Sequence, residues 1–336
     1  MRGAVSAPAA DPRRLVHLAC SRGGHLDLLL RLEGVLADRR LVWVTQQSGR
    51  VSDIQQAGGR VHVLGEYHGS LRGIVGIVRR SLGVLIRERP RFVITSGSGI
   101  VVPFCLLARL TGAKVVFIET SARVRGASRS GRVLSRIANR VIVQWDEMRA
   151  IYPGASVAQS SVLLGIAPEV SGDGAGTFLA VGTHSQPFDR IVELVDRAAG
   201  EGVLPQPVLA QVGVSTLAMR HGEAHGMLTP EEMGDAVRRS RYIVTHAGTG
   251  TISTALRAGR RPLVLARTAE HGEHFDDHQQ QIVDKLAELR LVVPLGERIT
   301  AEDLAAADAP LPRPEDLPSH PSLADRMREA LADLDA

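Results

Sequence analysis

Residues 242–266, YIVTHAGTGTISTALRAGRRPLVLA, hold one complete repeat unit of the fold. Tyr242–His246 is a short apolar run that ends in a glycine turn, a helix-period segment follows, and Pro262–Ala266 is a second apolar run. That order predicts two parallel strands joined by a crossover helix. The same alternation extends outward through the second half, with strands at Thr177–Val181, Val208–Val212 and Leu291–Pro294. It also fills the first half, with strands at Leu15–Ala19, Leu41–Thr45, Val61–Leu64, Phe92–Ser96, Val115–Glu119 and Arg140–Gln144. Helical patterns such as His25–Ala37 and Ile100–Leu110 lie between them. A polar, glycine-rich joint at Pro168–Gly176 separates the two series. The pattern predicts an α/β protein of two Rossmann-like, doubly wound parallel-sheet domains facing each other across a cleft. The expected layout is a disordered start over 1–13, a first domain over 14–168, a linker over 169–176 and a second domain over 177–300. A Pro-rich segment and a closing helix, Ser322–Leu334, occupy 301–336.

The chain has 336 residues, enough for two such domains, and 44% hydrophobic with 23% charged side chains is ordinary globular composition. Its formal net charge of +4 hides a division. Residues 1–168 carry 24 basic and 10 acidic side chains, net +14, and the remainder 16 basic and 26 acidic, net −10. A basic first half and an acidic second half imply different partners for each. Two cysteines, Cys20 and Cys105, exclude a disulfide framework and fit a reducing compartment. The first 13 residues have no apolar core of signal-peptide length. The most apolar window, Gly99 to Ile118, is interrupted by Arg109 and Lys114, so no membrane-spanning helix is expected. Aromatic residues are 3% and no nucleic-acid-binding module is recognisable, which argues against a nucleic-acid partner.

Each half carries glycine turns where a strand feeds a helix. In the second half, THAGTGTIS places His246 at a strand end and Gly248, Thr249, Gly250 and Thr251 at the helix start, aiming amides and hydroxyls at a diphosphate. It lacks the GK[ST] of a Walker A loop. VGTHSQPFD repeats the arrangement with Gly182 and Thr183, and Pro187 suits the first turn of the helix that follows. AEHGEHFDDHQQQ then gathers His271, His274, His278, Asp276 and Asp277. The set has neither HExxH spacing nor supporting cysteines, and it reads better as a loop whose Asp277, His278 and Gln279 bond sugar hydroxyls than as a metal site.

In the first half, CSRGGH runs from a strand into a helix, with Gly23 and Gly24 allowing close approach of a ligand. An ordinary tight turn would need the same glycines. His25 lies where ligands collect at the strand ends, able to act as a general base or simply to bond backbone at the helix start. TSGSG supplies Ser96, Gly97 and Ser98 at the same kind of edge. In FIETSARV, Glu119 ends another strand as a sugar acceptor, a catalytic base or a structural cap on the loop.

These motifs together resemble a known pair. CSRGGH, TSGSG, FIETSARV and RVIVQWDEM followed by YPGA are similar to the acceptor-side, membrane-recruiting subunit of the transferase that adds the second GlcNAc to dolichol-diphosphate-GlcNAc. VGTHSQPFDR, HAGTGTIS and HGEHFDDHQ are similar to its catalytic, donor-binding partner. Bacterial exopolysaccharide glycosyltransferases carry the same two pieces as separate chains, and the set resembles glycosyltransferase family 28. Over residues 14–296 the resemblance implies a GT-B fold and an inverting, metal-independent transfer from a UDP-sugar to a polyprenyl-diphosphate saccharide. It implies a donor diphosphate on Gly248–Thr251 beside Gly182 and Thr183. His25 or Glu119 would assist the acceptor hydroxyl, with Gly23, Gly24, Ser96, Gly97 and Ser98 on the acceptor side. One position departs from the relatives: Thr254 stands where many have a ribose-holding Glu.

Leu71, Ile74, Val75, Val78, Leu82 and Leu85 form an apolar helical stripe flanked by Arg72, Arg79, Arg80 and Arg87. Such a helix either lies on an anionic membrane or faces a core with solvated arginines. The expected location is cytoplasmic, peripheral on the inner face of the membrane. Transfer to a soluble natural product, a UDP-sugar epimerase on the same fold, and a non-catalytic nucleotide-sugar-binding scaffold are the alternatives.

Overall fold

The computed structural model describes residues 15–66, 71–169, 174–183, 186–273 and 278–336. They form two compact units. The first contains the chain up to Thr120, Arg125–Ala158 and His320–Ala336, and the second contains Ser121–Val124 and Gln159–Ser319.

Among the described residues the first unit has one parallel sheet of β1 (Leu15–Ala19), β2 (Arg40–Thr45), β3 (Arg60–Val63), β4 (Phe92–Thr95), β5 (Lys114–Ile118), β6 (Arg140–Val143) and β7 (Ser156–Val157). The strand order is β3-β2-β1-β4-β5-β6-β7. The helices are α1 (Gly24–Leu30), α2 (Gly49–Gln56), α3 (Leu71–Glu88), α4 (Val102–Leu110) and α5 (Arg129–Ile137). All of β1 and β4 is buried, so apart from the buried His17 in β1 and Thr95 at the end of β4 these strands read as apolar runs rather than alternating ones. The order reverses between β1 and β4, so the loops that leave these strands part and open a ligand crevice.

The second unit pairs β8 (Thr177–Ala180), β9 (Val208–Gln211), β10 (Glu223–His225), β11 (Tyr242–His246), β12 (Leu263–Leu265) and β13 (Val293–Pro294) in the order β10-β9-β8-β11-β12-β13, all parallel. Its helices are α6 (Asp189–Gly200), α7 (Pro230–Arg239), α8 (Thr249–Arg257), α9 (His278–Glu288) and α10 (Ala301–Asp308). Alternate residues of β8 feed two separate cores. Leu179 joins Ile191, Val195 and Val244, whereas Phe178 and Ala180 join Val237, Ile243 and Ala255. The reversal here lies between β8 and β11.

The expected strands all form, and two features differ from the sequence reading. Residues 159–168 belong to the second unit: Ala167 N–H donates to the Leu256 carbonyl, and Arg257 Nε donates to the Leu164 carbonyl (both 3.1 Å). The joint therefore lies at Ala158–Gln159, ahead of Pro168–Gly176. The expected helix His25–Ala37 is α1 followed by a separate 3-10 turn at Gly34–Leu36, broken ahead of a poor helix former. The closing helix α11 (Leu323–Asp335) starts from a Ser322–Asp325 capping box and packs on the first unit. There Asp335 pairs with Arg39 and Arg91 at 2.8 and 2.7 Å, and Met327 and Leu331 enter the core beside Leu26 and Trp43.

Candidate functional site

At the β1/β4 reversal the backbone turns through Gly23 at φ +75°, a conformation that favours glycine, and α1 then begins without a side-chain cap. His25, in the first turn of α1, donates from Nδ1 to the Ser96 carbonyl at 2.9 Å. Ser96 Oγ donates back to the His25 carbonyl at 3.1 Å. The two expected loops are thus locked reciprocally, and the carbonyl partner puts the neutral ring's proton on Nδ1 and its basic lone pair on Nε2. The TSGSG turn continues through Gly97 and Ser98, both at φ +89°. A serine in that conformation stores roughly 1–3 kcal/mol of strain. Its amide is held by Ser130 Oγ at 3.1 Å, and the Gly97 amide by Thr95 Oγ1 at 3.0 Å.

Glu119 does not share this position. It is 2% exposed, and its Oε2 accepts from Tyr152 O–H at 2.7 Å, Ser128 Oγ at 3.1 Å and Ser128 N–H at 3.3 Å. Oε1 accepts from the Thr120 amide at 3.2 Å, and Gly131 passes so close that a Cβ there would lie 2.5 Å from Oε2. Of the three roles open to Glu119, these contacts fit a structural cap. Ser128 caps α5 through the Gly131 amide, and Ser130 in the first turn of α5 holds Ser98, so the carboxylate anchors the far side of the TSGSG turn.

Burial raises the Glu119 carboxyl above its ordinary pKa. The folded state then holds the proton more tightly than the unfolded chain, and stability falls as pH rises through the carboxylate range towards the folded pKa. Glu119→Gln is expected to flatten that decline in a series of melting curves from about pH 4 to 7. Its kcat should fall far less than the roughly 10²–10⁴-fold that loss of a general base produces. A loss of that full size would restore Glu119 as the base.

In the second unit the two glycine turns meet around one ring. His246, at the end of β11, packs against Gly182 and Gly248, and its Nδ1 lies 3.3 Å from the Ala180 carbonyl. Thr245 Oγ1 donates to the same carbonyl at 2.8 Å. A side chain at either glycine would run into the imidazole, and Gly182 also has φ +80°. Gly248 is the N-cap of α8 and offers no side-chain cap, so the first-turn amides at Thr249–Thr251 face outward as anion donors. Among the described residues nothing lies within 4 Å of the Gly250 Cβ position, and Thr183 is exposed. Thr254 turns its hydroxyl back to the Gly250 carbonyl at 3.0 Å, a backbone bond with no carboxylate function.

Of the sugar-contacting residues expected after β12, Asp277 lies outside the described residues, as do His274 and Asp276. Gln279 is buried and its Oε1 accepts from the Arg267 amide at 3.0 Å, so it braces the loop. His278 opens α9, half-buried. His271 is paired with Thr268 Oγ1 at 2.7 Å. The sequence reading passed over Arg190, Arg267 and Glu273, which form a charged cluster beneath these loops. Arg190 forks onto Glu273 with bonds of 2.9 and 2.8 Å. The signal available was an Arg directly after an apolar strand together with an Asp-Arg pair opening α6.

Residues 46–160 match the family described as oligosaccharide biosynthesis protein Alg14 like, and residues 177–307 match the glycosyltransferase family 28 C-terminal domain. A UDP-N-acetylglucosamine–N-acetylmuramyl-(pentapeptide) pyrophosphoryl-undecaprenol N-acetylglucosamine transferase of Ralstonia nicotianae is 27% identical, the alignment covering 88% of each chain. The mouse UDP-N-acetylglucosamine transferase subunit ALG14 is 33% identical over 79 residues, 22% of this chain and 36% of that subunit. The crystal structure of Acinetobacter baumannii MurG aligns with a TM-score of 0.60 at 16% identity, covering 96% of this chain and 91% of that one, which shows a shared fold.

Proposed function

This chain joins an Alg14-like part to a glycosyltransferase family 28 C-terminal domain, and from that premise we propose that it is a UDP-sugar glycosyltransferase acting on a lipid-linked saccharide. The observation that carries the reading is the convergence of Gly182, His246 and the uncapped start of α8 at one strand reversal. Backbone amides there suit a diphosphate and oppose the charge that grows on the leaving UDP. The acceptor hydroxyl attacks the anomeric carbon, the bond from that carbon to the β-phosphate oxygen breaks, and His25 Nε2 takes the hydroxyl proton. A single displacement of this kind inverts the anomeric centre and, with amides holding the diphosphate, needs no metal. A hexose or N-acetylhexosamine is the transferred group, a polyprenyl diphosphate carries the acceptor saccharide, and an exopolysaccharide is the destination we favour.

The same reading puts the protein in the cytoplasm, docked on the inner face of the membrane. No described helix is long and apolar enough to cross a membrane. Helix α3 buries Ile77, Val84 and Leu85, so the expected stripe divides. Leu85 serves the core, the side chain of Leu71 lies outside the described residues, and Ile74, Val75, Leu82 and Ile86 remain exposed. Leu106 and Leu110 of the neighbouring helix α4 are exposed too, the latter 83%, and Arg72, Arg79 and Arg87 are exposed cations that suit lipid phosphates. Arg79→Gln with Arg87→Gln removes two charges at about 1 kcal/mol each and is expected to weaken sedimentation with anionic vesicles about 30-fold. Unchanged partitioning would sink the membrane reading.

The function itself is tested by UDP release from a panel of UDP-sugars with a polyprenyl-diphosphate saccharide, with and without EDTA. Release that needs both substrates and survives EDTA is the expected result. UDP binding without turnover would replace the enzyme with a scaffold, and turnover only on soluble acceptors would replace the lipid substrate.

A further inference from the structure

Arg267 lies two residues past the end of β12 and is 1% exposed, although it carries a full positive charge. Its guanidinium donates to the carbonyls of Val181 (3.0 Å), Gln186 (3.0 Å) and Pro187 (3.1 Å), the two flanks of the turn that begins at Gly182. A fourth, longer bond reaches the Glu273 carbonyl at 3.4 Å, on the loop after β12, and the Phe188 ring lies 4.5 Å from the guanidinium carbon. Neutral carbonyls and a π face thus receive the cation. The Glu273 carboxylate is engaged elsewhere, by Arg190 and by the Thr268 amide at 3.2 Å. Arg267, Arg190 and Glu273 together carry one net positive charge beneath the turn. A positive charge held in the low-dielectric interior favours an anion bound nearby. Burial pulls the guanidinium down to about 10, which keeps it charged at neutral pH.

We infer that Arg267 is a positioning residue for the donor diphosphate, holding the Gly182 turn in shape and supplying the positive field that a dianionic ligand meets there. The inference rests on the donor reading proposed above, and the experiment separates the two. UDP and uridine are titrated calorimetrically into the full chain, its Arg267→Lys variant and its Arg190→Gln variant. Arg267→Lys keeps a cation but gives up most of the carbonyl bonds. Arg190→Gln, at the half-exposed member, leaves those bonds in place and lowers the net charge of the cluster from one to zero. UDP affinity is expected to fall about 10-fold or more in each variant, the scale of lost charge-assisted bonds, while uridine binding changes little. Wild-type protein that fails to bind UDP would overturn the donor reading itself. UDP affinity unchanged in the variants, or UDP and uridine weakened together, would leave the donor reading intact and overturn the role of Arg267. If Arg267→Lys does not fold, unchanged UDP affinity in Arg190→Gln still overturns the positive field assigned to the cluster.

Discussion

Replacing His25 with asparagine is expected to lower kcat by roughly 10²–10⁴-fold, the range a positioned general base contributes, while UDP binding is unchanged. Asparagine can still donate an amide N–H to the Ser96 carbonyl that now holds Nδ1 at 2.9 Å, so the turn is disturbed little. What disappears is the Nε2 lone pair, the only strongly basic atom of that side chain. The comparison with Glu119→Gln makes the result decisive. Glu119 directly follows β5 and His25 lies in the first turn of α1 after β1 of the same sheet, but the Glu119 carboxylate already accepts from Tyr152, Ser128 and Thr120. An activity loss at Glu119 that exceeds the loss at His25 would reverse the assignment.

The contrast between these two residues shows how far the sequence could be read. Parallel strands covered on both faces leave a continuous apolar signature, so Leu15–Ala19 and Thr177–Val181 are visible at once. Strands β7 and β10 are two and three residues long, and β10 is the polar Glu223–His225, so neither leaves a pattern. The turns after β1 and β11 are legible because glycine is required where backbone must bend tightly. The partners of a side chain are different information. Nothing within FIETSARV announces that Ser128 and Tyr152 converge on Glu119, and only its place after an apolar strand sets the buried Arg267 apart from the many solvated arginines of this chain. Helix α3 shows the same boundary. Its periodicity reveals an apolar arc, but only packing decides that Leu85 belongs to the core and Ile86, 59% exposed, to the outside.

Gly182→Ala is the second large effect, and it has two separable causes. The backbone at φ +80° costs an L-residue roughly 1–2 kcal/mol, and the new methyl group would also collide with the His246 imidazole. That ring cannot swing away freely, since its Nδ1 lies 3.3 Å from the Ala180 carbonyl and Gly248 bounds it on another side. Overpacking of this kind adds roughly 1–3 kcal/mol, and the chain will relieve it by moving the turn. UDP affinity is therefore expected to fall by about 30-fold or more, with a lower melting temperature, in calorimetric titration and thermal unfolding of the same samples. The double variant Gly182→Ala with His246→Ala separates the causes. Removing the ring abolishes the collision but not the backbone cost, so the double variant should be more stable than the sum of the single effects by about 0.5–3 kcal/mol. Simple additivity would mean that the imidazole does not constrain the turn. A Gly182→Ala protein that binds UDP like the wild type would place the donor diphosphate somewhere other than this turn.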